Sequence, residues 1–164
     1  MKINKKNVVG LPRRSRATGF TLVEILIVIA IIGILAAMVI ISINPNRQFK
    51  SARDTQRLTN LSTILNAIGQ NIAEHKGIFI CNGTALAFPT ASTTIKNAGG
   101  GFDLAPCLVP DYLQALPYDP IATGAFYTAT TSYNTAYEIS QDAATGRITI
   151  TAPAAELNPV ELSR

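Results

Sequence analysis

A run of 24 residues, Phe20 to Ile43, restricts this chain more than any other feature. All but Thr21, Glu24, Gly33 and Ser42 are apolar. As a helix rising ~1.5 Å per residue it measures roughly 36 Å, enough to cross a ~30 Å hydrocarbon core with some tilt. In lipid a single segment must satisfy its backbone hydrogen bonds internally, so helix is the form it takes. The many Ile and Val are mediocre helix formers in water, but in a bilayer no water competes for the backbone. An ordinary secretory signal has an apolar stretch of only ~7–15 residues and small residues before its cut. Here Ala36 and Ala37 follow Ile34 and Leu35, a poor fit to such cleavage. The run reads as a membrane helix.

Charge placement supports a topology. Six of the fourteen Lys and Arg precede Gly19 (Lys2, Lys5, Lys6, Arg13, Arg14 and Arg16), with no acidic residue among them. The other eight face all ten Asp and Glu, so the net +4 belongs to a short leader and the body carries −2. A basic arm can bind nucleic acid, but this one abuts the apolar run, which favours a leader held in the cytoplasm. Charged residues are 15% of the chain against a typical ~25%, which excludes a disordered or nucleic-acid-wrapping chain. With no Trp, one His and two Cys, a metal cluster or multi-bridge scaffold is nearly excluded as well.

Glu24 is the anomaly. A carboxylate costs ~2.5–3.5 kcal/mol at the centre of a membrane helix and less near its ends. Glu24 lies about one turn in, where it either snorkels to the interface or takes a cationic partner from another chain and directs assembly. The residues by themselves leave both readings open.

Gly19-Phe20-Thr21-Leu22-Val23-Glu24, followed by ILIVIAIIGILAAMVI, resembles the class III signal of type IV pilins and pseudopilins, densely over about residues 13 to 43. The resemblance implies that a prepilin peptidase cuts after Gly19 on the cytoplasmic side. The same enzyme would then methylate the new N-terminal residue, Phe20, using S-adenosylmethionine. Glu24 corresponds to the carboxylate proposed to pair with a neighbouring subunit's N-terminal ammonium. Cleavage creates that positive charge in the low-dielectric region where Glu24 needs one. Gly33 matches the position where the family's helix loosens in filaments. Many relatives carry Pro eight residues later, where this chain has Ile41, so any local melting shifts toward Asn44-Pro45.

Pro45 kinks or restarts the helix, with Asn44 as N-cap and Pro45 at the first helical position. Beyond it, Leu58, Leu61, Leu65, Ile68 and Ile72 recur at spacings of three and four, the stripe of an amphipathic helix. Arg47, Lys50, Arg53, Asp54 and Arg57 open that stretch and read as its solvated end rather than a ligand site. From about His75 the composition turns to Gly, Thr, Ala, Asn and Pro. Gly77 to Leu116 reads as a loop-rich connector, with Gly99-Gly100-Gly101 as a turn. These glycines lack the following Lys and strand–loop–helix setting of a phosphate loop. Strand-like runs follow at Ala125 to Thr130, Ala136 to Ser140 and Arg147 to Thr151. Ile148 and Ile150 alternate with Thr149 and Thr151, and QDAATG supplies Asp142 and Gly146 for a hairpin loop.

The expected fold is α+β: a long N-terminal helix, membrane-spanning then amphipathic, packed on a small antiparallel sheet. Its divisions are a leader (1–19), a membrane and filament-core helix (20–43), an amphipathic continuation (44–74) and a loop-rich β-sheet head (75–164). INPNRQFKSARDTQR and YLQALPYDP also resemble family sequence, the latter including the major pseudopilin of type II secretion. That subgroup often binds calcium in a later loop, but Asp119 and Asp142 are too sparse to specify a site. In an exported head the compartment permits a disulfide between Cys81 and Cys107, which we favour over two free thiols. His75 has no triad around it, no metal-ligand spacing appears, and no active site or cofactor is expected.

The function implied is that of a filament subunit serving adhesion, motility or DNA uptake. Its partners would be copies of itself, the prepilin peptidase, and an inner-membrane assembly platform with its ATPase. It would pass from the inner membrane to a surface pilus. A pseudopilin of a type II secretion or competence system, forming a periplasmic pseudopilus, shares every N-terminal feature. A membrane-anchored enzyme or sensor is the rival from another class.

Overall fold

The computed structural model describes residues 19–42 and 44–164; the expected leader, apart from Gly19, lies outside the described residues, as does Ile43. The chain divides into two compact units, meeting between Asn44 and Pro45. In the first, helix α1 spans Leu22–Ser42. Its stretch Leu22–Ile40 is long and apolar enough to cross a membrane, and none of it is buried within the chain. Leu22 and Ile40, near its two ends, are 80% and 68% exposed. A helix that is apolar all round needs lipid or other helices around it.

The second unit begins with helix α2, Pro45–Glu74, whose buried positions are Arg57, Leu61, Ile64, Leu65, Ala67, Ile68 and Asn71. The stripe read from the sequence is therefore rotated at its start. Leu58 is 46% exposed while Arg57, one residue earlier, is fully buried. Asn71 closes the helix's far end: its side chain donates to Ile80 O and accepts from Ile80 N, both at 2.9 Å.

Strands β1 (Ile80–Cys81) and β2 (Thr84–Ala85) form a small hairpin. Then come β3 (Thr93–Lys96), the short helix α3 (Ala105–Leu108), β4 (Phe126–Ala129), β5 (Ser132–Gln141), β6 (Ile148–Ala152) and β7 (Val160–Ser163). The main sheet is antiparallel in the order β3-β5-β6-β7, with β4 also paired to β5. Tyr133, Thr135, Tyr137 and Ile139 of β5 and Ile148, Ile150 and Ala152 of β6 alternate inward. With Leu61, Ile64 and Ile68 of α2 they make one core. This is the expected α+β, pilin-like architecture.

The expected loop-rich connector is more structured than its composition indicates. It contains both strands of the first hairpin, β3 and α3. β5 starts at Ser132, four residues before the expected run, because a bulge carries the strand through Ala136. Thr94 pairs with Glu138 and Lys96 with Asn134, so two steps on β3 span four on β5. Ala136 takes φ 57° there, a left-handed conformation costing a Cβ-bearing residue roughly 1–2 kcal/mol. The arrangement keeps Thr135 and Tyr137 both facing the core, and Thr135 Oγ1 donates to Ile95 O at 3.0 Å.

Cys81 of β1 and Cys107 of α3 are joined, with Cα atoms 4.4 Å apart. On the loop-closure model a bridge across 26 positions removes about 3–4 kcal/mol worth of unfolded-chain freedom. It fastens the first hairpin to α3, both outside the main sheet. Tyr133 secures the other end of α3. Its hydroxyl accepts from Leu104 N (2.7 Å) and Ala105 N (3.1 Å) and donates to Asp103 Oδ1 (2.8 Å).

Candidate functional site

Gly19 and Phe20 lie outside the helix that follows them, with Phe20 77% exposed. Thr21 is the residue that caps the helix start. Glu24 N donates to Thr21 Oγ1 at 3.2 Å, and the Glu24 carboxylate accepts from Thr21 N at 3.5 Å. This reciprocal pair is a capping box, which satisfies amide groups a helix start otherwise leaves open. Glu24 thus has a local partner through one oxygen, and its negative charge sits at the positive end of the helix dipole. Gly33 lies mid-helix in α1, where a Cβ would meet nothing within 4 Å.

The second constellation lies in the globular unit, and its central residue was not recognised from the sequence. The guanidinium of Arg57, 0% exposed, donates from Nε to Asp119 Oδ2 (2.7 Å) and from Nη2 to Asp119 Oδ1 (3.1 Å). Its Nη1 donates to Asp54 Oδ1 at 2.7 Å and lies 3.5 Å from Glu156 Oε2. Glu156 is held in turn by Arg53, through Nε (2.5 Å) and Nη2 (2.8 Å). Asp119 Oδ1 also accepts from Ile121 N (3.0 Å) and Ala122 N (2.8 Å). The Asp54 carboxylate accepts from Glu156 N and Leu157 N.

Two guanidiniums and three carboxylates thus tie α2 to the loop before β4 and the loop before β7. Every side-chain nitrogen and oxygen buried there is hydrogen-bonded, the condition under which a buried ion group is tolerable. The arrangement joins three separate elements of the fold; among the described residues no group of three or more His, Cys, Asp or Glu could hold a metal ion. Asp119 is committed to Arg57, and Asp142 to its own turn, accepting from Ala144 N, Thr145 N and Thr145 Oγ1. His75 Nδ1 lies 2.7 Å from Asn71 O at the end of α2.

This cluster sets a pH dependence. Burial pushes the Asp119 carboxyl up, but hydrogen bonds from Arg57, Ile121 N and Ala122 N outweigh it and hold the carboxyl below its usual range. Asp54 follows the same pattern: burial is opposed by the amides of Glu156 and Leu157 and by Arg57. Glu156 is lowered chiefly by its hydrogen bond to Arg53. Carboxyls depressed by folding add stability that is complete above the unfolded value of ~4 and is lost as pH falls through the folded values. The unfolding midpoint should hold level above about pH 5 and drop steeply below ~4. Thermal melts followed by tyrosine circular dichroism check this, and a flat profile down to pH 2 would contradict it.

The fold and its N-terminal site define a class first: an α+β, pilin-like protein with an exposed apolar helix opened by a Thr–Glu capping box. Residues 14–43 match the family model of the prokaryotic N-terminal methylation motif, the class III signal of type IV pilins and pseudopilins. That match supports a type IV pilin-like or pseudopilin precursor. It covers Gly19, Phe20, Glu24 and Gly33 and ends before the globular unit begins. No curated protein and no solved structure matches the chain.

Proposed function

We propose that this chain is the structural subunit of a type IV pilus-like filament. A prepilin peptidase cuts after Gly19 and methylates Phe20, and an inner-membrane platform and its ATPase then move the subunit from the bilayer into the filament. Residues 1–19 are the leader, 20–43 the membrane and later core helix, 44–74 its amphipathic continuation and 75–164 the head. The role is mechanical and adhesive rather than catalytic.

One observation carries this reading: the methylation motif falls on a helix long and apolar enough to cross a membrane, with no described part of that stretch buried. Lipid covers such a surface before assembly, and neighbouring copies of the same helix can replace lipid afterwards. Gly19 and Phe20 are exposed and lie ahead of the helix, outside regular secondary structure, where a peptidase could reach the bond between them.

The test is mass spectrometry of the N-terminal peptide in filaments sheared from intact cells. The expected species begins at N-methylated Phe20. A processed chain confined to the membrane fraction would shift the assignment to a pseudopilin of a secretion or competence system. A chain still beginning at Met1 would defeat the reading altogether and favour an unprocessed anchor.

A further inference from the structure

The chain contains two Asn-x-Ser/Thr sequences, and the fold treats them oppositely. Asn60-Leu61-Ser62 lies within α2. There the Asn60 amide donates to Tyr118 O (3.2 Å) and Tyr137 Oη (2.9 Å), and Leu61 is fully buried. Burial pushes the Tyr137 hydroxyl up to about 12, so at neutral pH that contact is a hydrogen bond between neutral groups. The Asn60 nitrogen is thus engaged, on a half-buried position within a helix.

Asn82-Gly83-Thr84 lies at the tip of the first hairpin. Cys81 pairs with Thr84, leaving Asn82 and Gly83 as a two-residue turn with φ 49° and 77°, as in a type I′ connection. Asn82, Gly83 and Thr84 are all exposed. A Cβ added at Gly83 would meet nothing within 4 Å, and no described residue hydrogen-bonds the Asn82 side chain. The disulfide begins at the residue before Asn82, so the tip is anchored from below while its own side chains stand in solvent.

We propose that Asn82 is an N-glycan acceptor, modified on the exported face by a transferase using a lipid-linked sugar pyrophosphate. The Asn82 Nδ2 forms a bond to the sugar's anomeric carbon as the bond from that carbon to the pyrophosphate oxygen breaks. The leaving oxygen keeps the electron pair, and Nδ2 gives one proton to a base of the transferase. The Thr84 hydroxyl, two residues on, is the second recognition element of such acceptors. The turn chemistry serves both ends: Gly83 permits the tight reversal and adds no side chain between acceptor and hydroxyl. The proposal rests on export of this unit, as the filament reading requires.

The experiment is a reduced and alkylated tryptic digest of the full chain purified from the cells that make it. Residues 77–96 form one peptide carrying Asn82 and Thr84, residues 58–76 another carrying Asn60, and the N-terminal peptide reports processing separately. The expected result is added mass of at least one sugar on 77–96 and none on 58–76. That mass should disappear in Asn82→Gln and in Thr84→Ala, which leaves the Asn-Gly turn intact, and should persist in Thr84→Ser. Added mass surviving both losses, or a 77–96 peptide that is bare or merely deamidated at Asn82, overturns the proposal. A bare peptide in a chain that begins at Phe20 overturns it alone. A bare peptide with an uncut N-terminus takes the filament reading down with it.

Discussion

Asp119→Ala is expected to destabilise the globular unit by about 3–5 kcal/mol, the usual result of removing one member of a buried ion pair. Arg57 would keep Asp54 at 2.7 Å but lose the carboxylate that meets both Nε and Nη2. The amides of Ile121 and Ala122 would lose their acceptor too. The loop before β4 would then be tied to α2 only away from the cluster, by Asn60 donating to Tyr118 O and by Tyr112 Oη donating to Glu74 Oε2. Replacing both partners with apolar side chains, Arg57→Met with Asp119→Leu, should recover much of the loss because no lone charge stays buried. All five tyrosines lie between residues 112 and 137 and there is no Trp. Near-ultraviolet circular dichroism of the full chain in detergent therefore reports on this unit alone. A loss below about 1 kcal/mol in the single variant would mean that the pair is solvated and does not organise the fold.

Glu24→Gln should abolish filaments while leaving the processed chain abundant in the membrane. The choice of Gln matters. Either Glu or Gln can serve at the third helical position of a capping box, so the variant keeps the Thr21 contact and removes only the charge. Glu24→Ala removes both. If Glu24 neutralises a neighbour's N-terminal ammonium, its loss leaves that cation uncompensated in an apolar bundle. Each ~1.4 kcal/mol lost per added subunit weakens addition tenfold, and every subunit incurs it. Quantifying the chain in sheared filaments against that in membranes distinguishes the cases. Wild-type yield from Glu24→Gln with failure only in Glu24→Ala would make the residue a helix cap and nothing more.

Composition and order along the chain were enough to determine the elements whose physics is local. The apolar run became α1 because 24 residues with one charge have no other stable form in lipid. Leu61, Leu65 and Ile68 marked the buried face of α2 because helical spacing places them together. The Asp142 and Gly146 turn was legible because its bonds close within the turn itself: Asp142 accepts from Thr145, and Gly146 takes φ 71°.

What the tertiary structure decided depends on partners far away in sequence. β3 and β7 are four residues each, too short to announce themselves, and they are strands because β5 and β6 offer backbone to pair with. The bulge at Ala136 needs β3 opposite it. Arg57 sits four residues before Leu61, on the buried face, but its charge argues for solvent until Asp119 is known to lie against it. That partner is 62 positions on. An ion can be buried only where another element brings the opposite charge, and sequence spacing carries no record of that meeting.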